Sequence, residues 1–269
     1  MPEGHTLHRL ARLHRRRFAG APVAVSSPQG RFSSSAVDGR VLLRTSAWGK
    51  HLFHHYEPFR GGPIVHVHLG LYGAFTEWKL PDYGLIPEPV GQVRMRLVGA
   101  EYGADLRGPT VCEVIDEGGV SDVLARLGPD PLRADADPAW AWKRIAKSRR
   151  PIGALLMDQT VMAGVGNVYR SELLFRHGID PYRPGLSVTG AEFDAAWDDL
   201  VALMKVGLRR GKIIVVRPEH DHGPPSYRPG RPRTYVYRRA GEPCRVCGTP
   251  IRTAVLEGRN VFWCPTCQT

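Results

Sequence analysis

In the first eighteen residues Leu7, Leu10, Ala11 and Phe18 recur at the three-to-four spacing of a helix with one apolar face, and arginines fill positions between them. From residue 22 to about residue 117 the period changes. Runs of alternating apolar and polar residues, Val41 to Trp48, His51 to Tyr56, Ile64 to Leu69, Tyr72 to Trp78 and Val93 to Gly99, are separated by Gly, Pro and Ser. Strand-length runs broken by a turn signal roughly every 8 to 12 residues predict an antiparallel β-sandwich or barrel. Helical spacing then returns in Val120 to Leu127, Trp140 to Lys147, Ile152 to Met162, Val168 to His177 and Ala191 to Val206, with Gly164 and Gly166 dividing the third from the fourth. Residues 217–233 contain five prolines and read as an irregular loop. Two short runs, Ile251 to Leu256 and Asn260 to Trp263, predict a closing hairpin that turns near Gly258. The sum is an α+β multidomain chain.

Composition narrows the class. With 42% hydrophobic residues the chain is not generally disordered, and its longest apolar runs, such as Ile213-Ile214-Val215-Val216, fall far short of a membrane span of roughly 20 residues. The expectation is a soluble, cytoplasmic protein. An Arg-rich start without Asp or Glu between Gly4 and Val37 has the composition of a transit peptide, but helical spacing that leads straight into strands makes it part of the fold. Thirty-seven Lys and Arg against 26 Asp and Glu give a formal charge of +11. The excess grows along the chain: 14 basic against 12 acidic residues in 1–125, 14 against 10 in 126–215, and 9 against 4 in 216–269. A polyanionic partner follows, nucleic acid ahead of a membrane surface, because no basic segment is coupled to a long apolar helical face.

Four of the five cysteines stand as Cys244-x2-Cys247-x16-Cys264-x2-Cys267, two knuckles with the spacing of a tetrahedral zinc site. One structural Zn²⁺ is predicted, with the hairpin between the knuckles. Cys112 lies apart in an alternating run and reads as a packed thiol.

The residues that carry chemistry are scattered. Removal of Met1 would leave Pro2 as a secondary α-amine, a usable nucleophile toward an aldehydic carbon, with the Glu3 carboxyl beside it to move protons. Gly164-Val165-Gly166-Asn167 permits a tight turn in which Asn167 caps the next helix and meets a phosphate, and Lys143, Arg144, Lys147, Arg149 and Arg150 upstream favour phosphate contact. Gly49-Lys50 offers an ammonium at one hairpin tip, and Gly70-Leu71-Tyr72 places an apolar side chain at another. His66 and His68 share a strand face, and His220-Asp221-His222 sits in the proline-rich loop, without a third ligand at metal-site spacing. Trp140 and Trp142 read as packing residues.

In order and spacing, Pro2-Glu3-Gly4, Lys50, His68-Leu69-Gly70, Asp158-Gln159, Gly164-Val165-Gly166-Asn167-Val168-Tyr169 and Gly258-Arg259-Asn260 within a four-cysteine finger resemble the formamidopyrimidine-DNA glycosylase and endonuclease VIII family. The likeness spans the whole chain and is nearest the family's second mycobacterial endonuclease VIII branch. It implies an N-terminal catalytic β-sandwich domain (1–125), a helix-two-turns-helix DNA-binding domain (126–216), a mobile loop (217–233) and a zinc finger (234–269), with damaged DNA bound between them by a monomer. The implied activity is removal of oxidised bases, mainly pyrimidines, coupled to lyase cleavage of the abasic site. Pro2 would form the Schiff base, Glu3 and Lys50 would donate protons, Lys50 and Asn167 would hold phosphates, and Arg259 would act in δ-elimination. Leu71 falls at an intercalating position, with Arg107 as a further wedge candidate. His5-Thr6 departs from the Pro-Glu common there. The other reading is a non-catalytic damaged-DNA-binding protein of the same fold, which a retained Met1 would favour.

Overall fold

The structure, a computed structural model, describes residues 2–81, 85–221 and 233–269. The chain divides into two compact units, Met1–Arg126 and Leu127–Thr269. The sequence placed that division at residue 125, and the finger expected as a separate domain packs within the second unit.

The N-terminal unit opens with α1 (Gly4–Phe18), whose Leu7, Ala11, His14 and Phe18 are buried while Arg9, Arg12, Arg15 and Arg16 face solvent. Two four-stranded antiparallel sheets follow. One runs β2 (Leu42–Trp48), β3 (His51–Tyr56), β4 (Ile64–His68), β8 (Val111–Ile115); the other runs β1 (Ala24–Ser26), β6 (Val93–Val98), β7 (Tyr102–Arg107), β5 (Ala74–Lys79). The sandwich is therefore as the alternating runs predict, with β1, β7 and β8 added. Its core is Leu42, Leu52, Val65, Val67, Met95, Leu97 and Leu106, all fully buried. Helix α1 packs on β2 and β3 and reaches the latter through His14, whose Nδ1 lies 3.0 Å from His54 Nε2 in the same core. Cys112 is buried in β8 and desolvation pushes its thiol up to about 12, as a packed thiol should be.

After α2 (Glu117–Leu124), the C-terminal unit comprises α3 (Pro138–Ile145), α4 (Ile152–Leu155), α5 (Asn167–Arg176), α6 (Gly190–Arg210) and the antiparallel hairpin β9 (Arg252–Leu256) with β10 (Arg259–Trp263). Helix α5 is buried from Asn167 to Phe175 and packs against α4, α6 and β10, which makes it the central element of the unit. Finger residues Ile251, Phe262 and Cys264 join the same core as Tyr169, Leu173, Leu200 and Met204. Trp142 stacks on Phe193 against this core, as a packing residue should, while Trp140 lies under the Arg144 guanidinium.

One expected helix is cut short. The run from Ile152 to Met162 is helical only to Leu155. Beyond it, Asp158 Oδ1 accepts from the Thr160 N–H, Gln159 Oε1 accepts from the Gly164 N–H, and Gln159 Nε2 donates to the Met157 and Val165 carbonyls. Side chains that bind local backbone this way compete with the helical ladder and end it. Of the proline-rich loop, residues 222–232 lie outside the described residues.

Candidate active site

Candidate residues occur in each of the two units. In the N-terminal unit the extended backbone of Glu3 (φ −124°, ψ 178°) caps α1, its carbonyl accepts from the Thr6 N–H at 2.8 Å, and its side chain is fully buried. Pro2 borders an open depression of about 370 Å³ shared with Thr6, Leu10, Leu69, Leu71 and Tyr72. A buried carboxyl is thus the chain neighbour of a residue facing a void large enough for a sugar ring. His5, two residues on from Glu3, is buried, and desolvation, aided by the N-terminal charge and then by Arg9 and His8, brings it down to about 4.

The β4–β5 turn forms one side of this depression. Gly70 has φ of 66° and a Cβ there would collide with the Thr110 side chain, so only glycine makes the turn. Leu71 is 37% exposed and Tyr72 88%. Tyr72 is the more projecting apolar group at this tip and was missed by sequence reasoning, which weighed only the leucine. Arg107, the other wedge candidate, ends β7 with its guanidinium held by Asp105 Oδ2 at 2.9 Å and by the Val90 carbonyl at 3.0 Å. A wedge role would require breaking both contacts.

Lys50 occupies the two-residue turn between β2 and β3, after Gly49 at φ 56° and enclosed by the Trp48–His51 pair that closes the hairpin. On the next strand His66 lies 2.9 Å from His51 (Nε2 to Nδ1) and 3.0 Å from Glu113 Oε1 through its own Nδ1. The carboxylate draws the His66 proton to Nδ1, leaving Nε2 to accept from His51. Burial, with the neighbouring His68, His66, Arg126 and Lys50 charges, holds His51 at about 3. His66 and His68 are likewise lowered, first by burial. Lys50 thus lies near His51 and His68, and its charge is among the causes that lower both imidazoles.

In the C-terminal unit Asn167 is the first residue of α5, but the cap position belongs to Gly166. The expectation that Asn167 caps this helix is corrected: its Nδ2 donates to the Asn260 carbonyl at 2.8 Å and its Oδ1 accepts from Arg170. Arg170 donates to the same carbonyl at 3.0 Å. The side chain is drawn away from its own helix because the finger offers a carbonyl next to Arg259. Arg259 itself begins β10 and is exposed. Arg150, grouped by sequence with phosphate-binding residues, has its guanidinium on Asp158 and Glu257 and so leaves that group. His220 Nδ1 lies 2.9 Å from the Tyr235 hydroxyl.

The sulfurs of Cys244, Cys247, Cys264 and Cys267 all lie within 4.8 Å of one another, with Cys244–Cys267 at 3.9 Å and Cys247–Cys264 at 3.5 Å. Tetrahedral zinc with Zn–S near 2.3 Å requires sulfurs about 3.8 Å apart, so the four thiolates fit the metal. The finger is a site for one structural zinc.

Comparison with known proteins agrees. Residues 127–218 match the formamidopyrimidine-DNA glycosylase H2TH domain, and residues 241–269 match the zinc finger found in FPG and IleRS. Helical domain, finger and sandwich together define a zinc-finger DNA glycosylase. The chain is 80% identical over its full length, and the relative's, to "Endonuclease 8 1" of Mycobacterium tuberculosis. It is 34% identical to the "DNA-(apurinic or apyrimidinic site) lyase Nei2" of Mycolicibacterium smegmatis, covering 100% of this chain and 99% of that one. The greater identity thus lies with the protein numbered first, not with the second branch to which the motifs pointed. In fold it resembles Lactococcus lactis Fpg, crystallised with abasic-site DNA, at TM-score 0.79 and 20% identity over 99% of each chain. The chain belongs to the formamidopyrimidine-DNA glycosylase and endonuclease VIII family, and is a DNA glycosylase with lyase activity toward abasic sites, acting in base excision repair.

Proposed function

We propose that the chain, as a cytoplasmic monomer, excises oxidised bases, mainly pyrimidines, from damaged DNA through a Schiff base at Pro2 followed by β- and δ-elimination. The observation that carries this reading is the position of Pro2, beside the buried Glu3 and facing the depression that Leu71 and Tyr72 border. A base within a duplex must be turned out before C1′ can be reached, at a cost of a few kcal/mol that wedge side chains and phosphate contacts offset. Leu71 and Tyr72 fill the gap. Lys50 holds phosphate and donates a proton. Asn167 uses its second amide hydrogen and the N–H groups at the start of α5 to hold another phosphate.

With Met1 removed, the Pro2 nitrogen bonds to C1′ and the C1′–base bond breaks, the departing base taking up a proton supplied through Glu3. Ring opening gives an iminium, which acts as an electron sink. A proton leaves C2′ and the 3′-phosphate departs; a second elimination expels the 5′-phosphate, and hydrolysis frees Pro2. Arg259 serves the last elimination. A guanidinium is a poor proton donor, so its help is to receive the charge of the leaving phosphate.

The test is borohydride trapping on abasic-site DNA with the mature protein and with a form extended before Pro2. The mature protein should be fixed to DNA and the extended form should not, because its Pro2 nitrogen is an amide. Equal trapping by both would assign the Schiff base to a lysine and overturn the reading.

A further inference from the structure

The turn that presents Arg259 is held on both sides by residues of the helical region. Its two central residues are Glu257, at φ 46°, and Gly258, at φ 74°. Positive φ at both positions matches the twist of the flanking strands, and Asn-Gly or Asp-Gly ordinarily supplies it. A glutamate in the left-handed region is uncommon because its Cβ crowds the backbone. Something outside the turn has to favour it there.

That partner is Arg150. Its Nε donates to Glu257 Oε1 at 3.1 Å and its Nη2 to Oε2 at 2.7 Å, a two-pronged pairing of fork with carboxylate. Nη1 donates to Asp158 Oδ2 at 2.8 Å, and Asp158 is itself fixed by the Thr160 hydroxyl at 2.7 Å from Oδ1. On the far side of Arg259, the Asn260 carbonyl is held by Asn167 and Arg170. Residues 257 and 260 are thus both anchored, while the Arg259 side chain between them is exposed.

Two considerations point to function. Arg150 and Glu257 side chains are 44% and 49% exposed, and pairs that exposed add little to stability. Moreover, a bare carboxylate two residues from a phosphate-binding arginine would repel the nucleic acid, and Arg150 neutralises it. We propose that Arg150 and Glu257 are positioning residues for δ-elimination, clamping the finger turn so that Arg259 meets the departing phosphate. This rests on the reading of Arg259 given above. Small displacements of a group that acts only on the leaving phosphate reduce one step and spare those before it.

The full-length, zinc-loaded protein is assayed on abasic-site duplex, with δ- and β-eliminated ends resolved on a gel and borohydride trapping measured separately. Arg150→Ala and Glu257→Gln should each lower the δ-to-β ratio about three- to fivefold, the effect an exposed forked pair can have. The double variant should be no worse than either single one, and Arg150→Lys should recover part of the ratio. Trapping should remain near that of the parent. If Arg259→Ala lowers the ratio while Arg150→Ala and Glu257→Gln do not, or if their effects simply add, the clamp is refuted. A parallel fall of both products and of trapping would likewise refute it. If Arg259→Ala leaves the ratio unchanged, the reading of Arg259 fails and the clamp falls with it. Elemental zinc reports folding of the finger, and Glu257→Gln decides where Arg150→Ala fails to retain metal.

Discussion

Glu172 shows what one buried side chain can do for the finger. It is fully buried in α5, and its two oxygens accept from three successive backbone N–H groups, Tyr235 at 2.6 Å, Val236 at 3.0 Å and Tyr237 at 2.8 Å. No local sequence rule identifies this, since the partners are more than 60 positions away and are backbone groups. Each buried donor left without an acceptor costs about 1–3 kcal/mol. Glu172→Gln keeps one accepting oxygen for Val236 and Tyr237 but sets an NH2 against the Tyr235 N–H, and should lower unfolding free energy by about 2 kcal/mol, measured by urea denaturation. A loss under about 1 kcal/mol would mean that water or backbone movement replaces the carboxylate.

Among elements, α6 carries its own start signal. Thr189 Oγ1 accepts from the Glu192 N–H at 3.2 Å and Glu192 Oε2 accepts from the Thr189 N–H at 2.7 Å, a reciprocal capping box. The Arg183 pairing first, then the Thr189 backbone bond, bring the Glu192 carboxyl down to about 2. A lowered carboxyl stabilises the fold above its ordinary 4.5, and that contribution disappears as pH falls through about 2. Thr189→Ala should cost about 1 kcal/mol at neutral pH. Glu192→Gln should flatten the decline in stability between pH 4.5 and about 2, seen in denaturation midpoints against pH. The hairpin of β9 and β10 depends instead on metal, for so short a pair has little core of its own. Chelating zinc should release the Asn260 carbonyl from Asn167 and Arg170, raising hydrogen exchange in residues 244–267 while the N-terminal sandwich keeps its protection. Equal loosening of both would make zinc a stabiliser of the whole chain.

At the scale of the whole molecule, both units lose stability in acid, but over different pH windows. In the N-terminal unit His5, His51, His54, His55, His66 and His68 are all lowered from 6.5, with burial the largest cause in each. The unfolded chain binds more protons than the folded one once pH falls below about 6.5, so the stability of this unit must fall with it, by up to about 1.4 kcal/mol per pH unit for each group. In the C-terminal unit the Asp158, Glu192 and Asp199 carboxyls are lowered, against the cost of burial, by hydrogen bonds from Arg150 and Thr160, from Arg183 and Thr189, and from His177 and Arg176, so they lose their contribution only as pH falls below their ordinary 3.8 to 4.5. Peptide-resolved hydrogen exchange at stepped pH should show the sandwich opening before α5 and α6. The reverse order would mean that these imidazoles take up protons without leaving their places.

The sequence by itself determined the sandwich, most helices, the finger and the family, because each is written in local spacing: period two in Val93, Met95 and Leu97, helical recurrence around α1, paired knuckles at Cys244 and Cys264. Family motifs also brought forward Pro2, Glu3, Lys50, Asn167 and Arg259, since order along the chain is enough to recognise them. Tertiary structure alone decided what those residues touch. It ended the helix at Leu155, gave the α5 cap to Gly166, turned Asn167 toward Asn260, and tied Arg150 to Glu257 across a sequence separation of 107 residues. The physical reason is the same in each case. Periodicity reports which face of an element is buried, whereas a polar side chain takes whichever partner folding brings within about 3 Å, and that partner can lie anywhere in the chain.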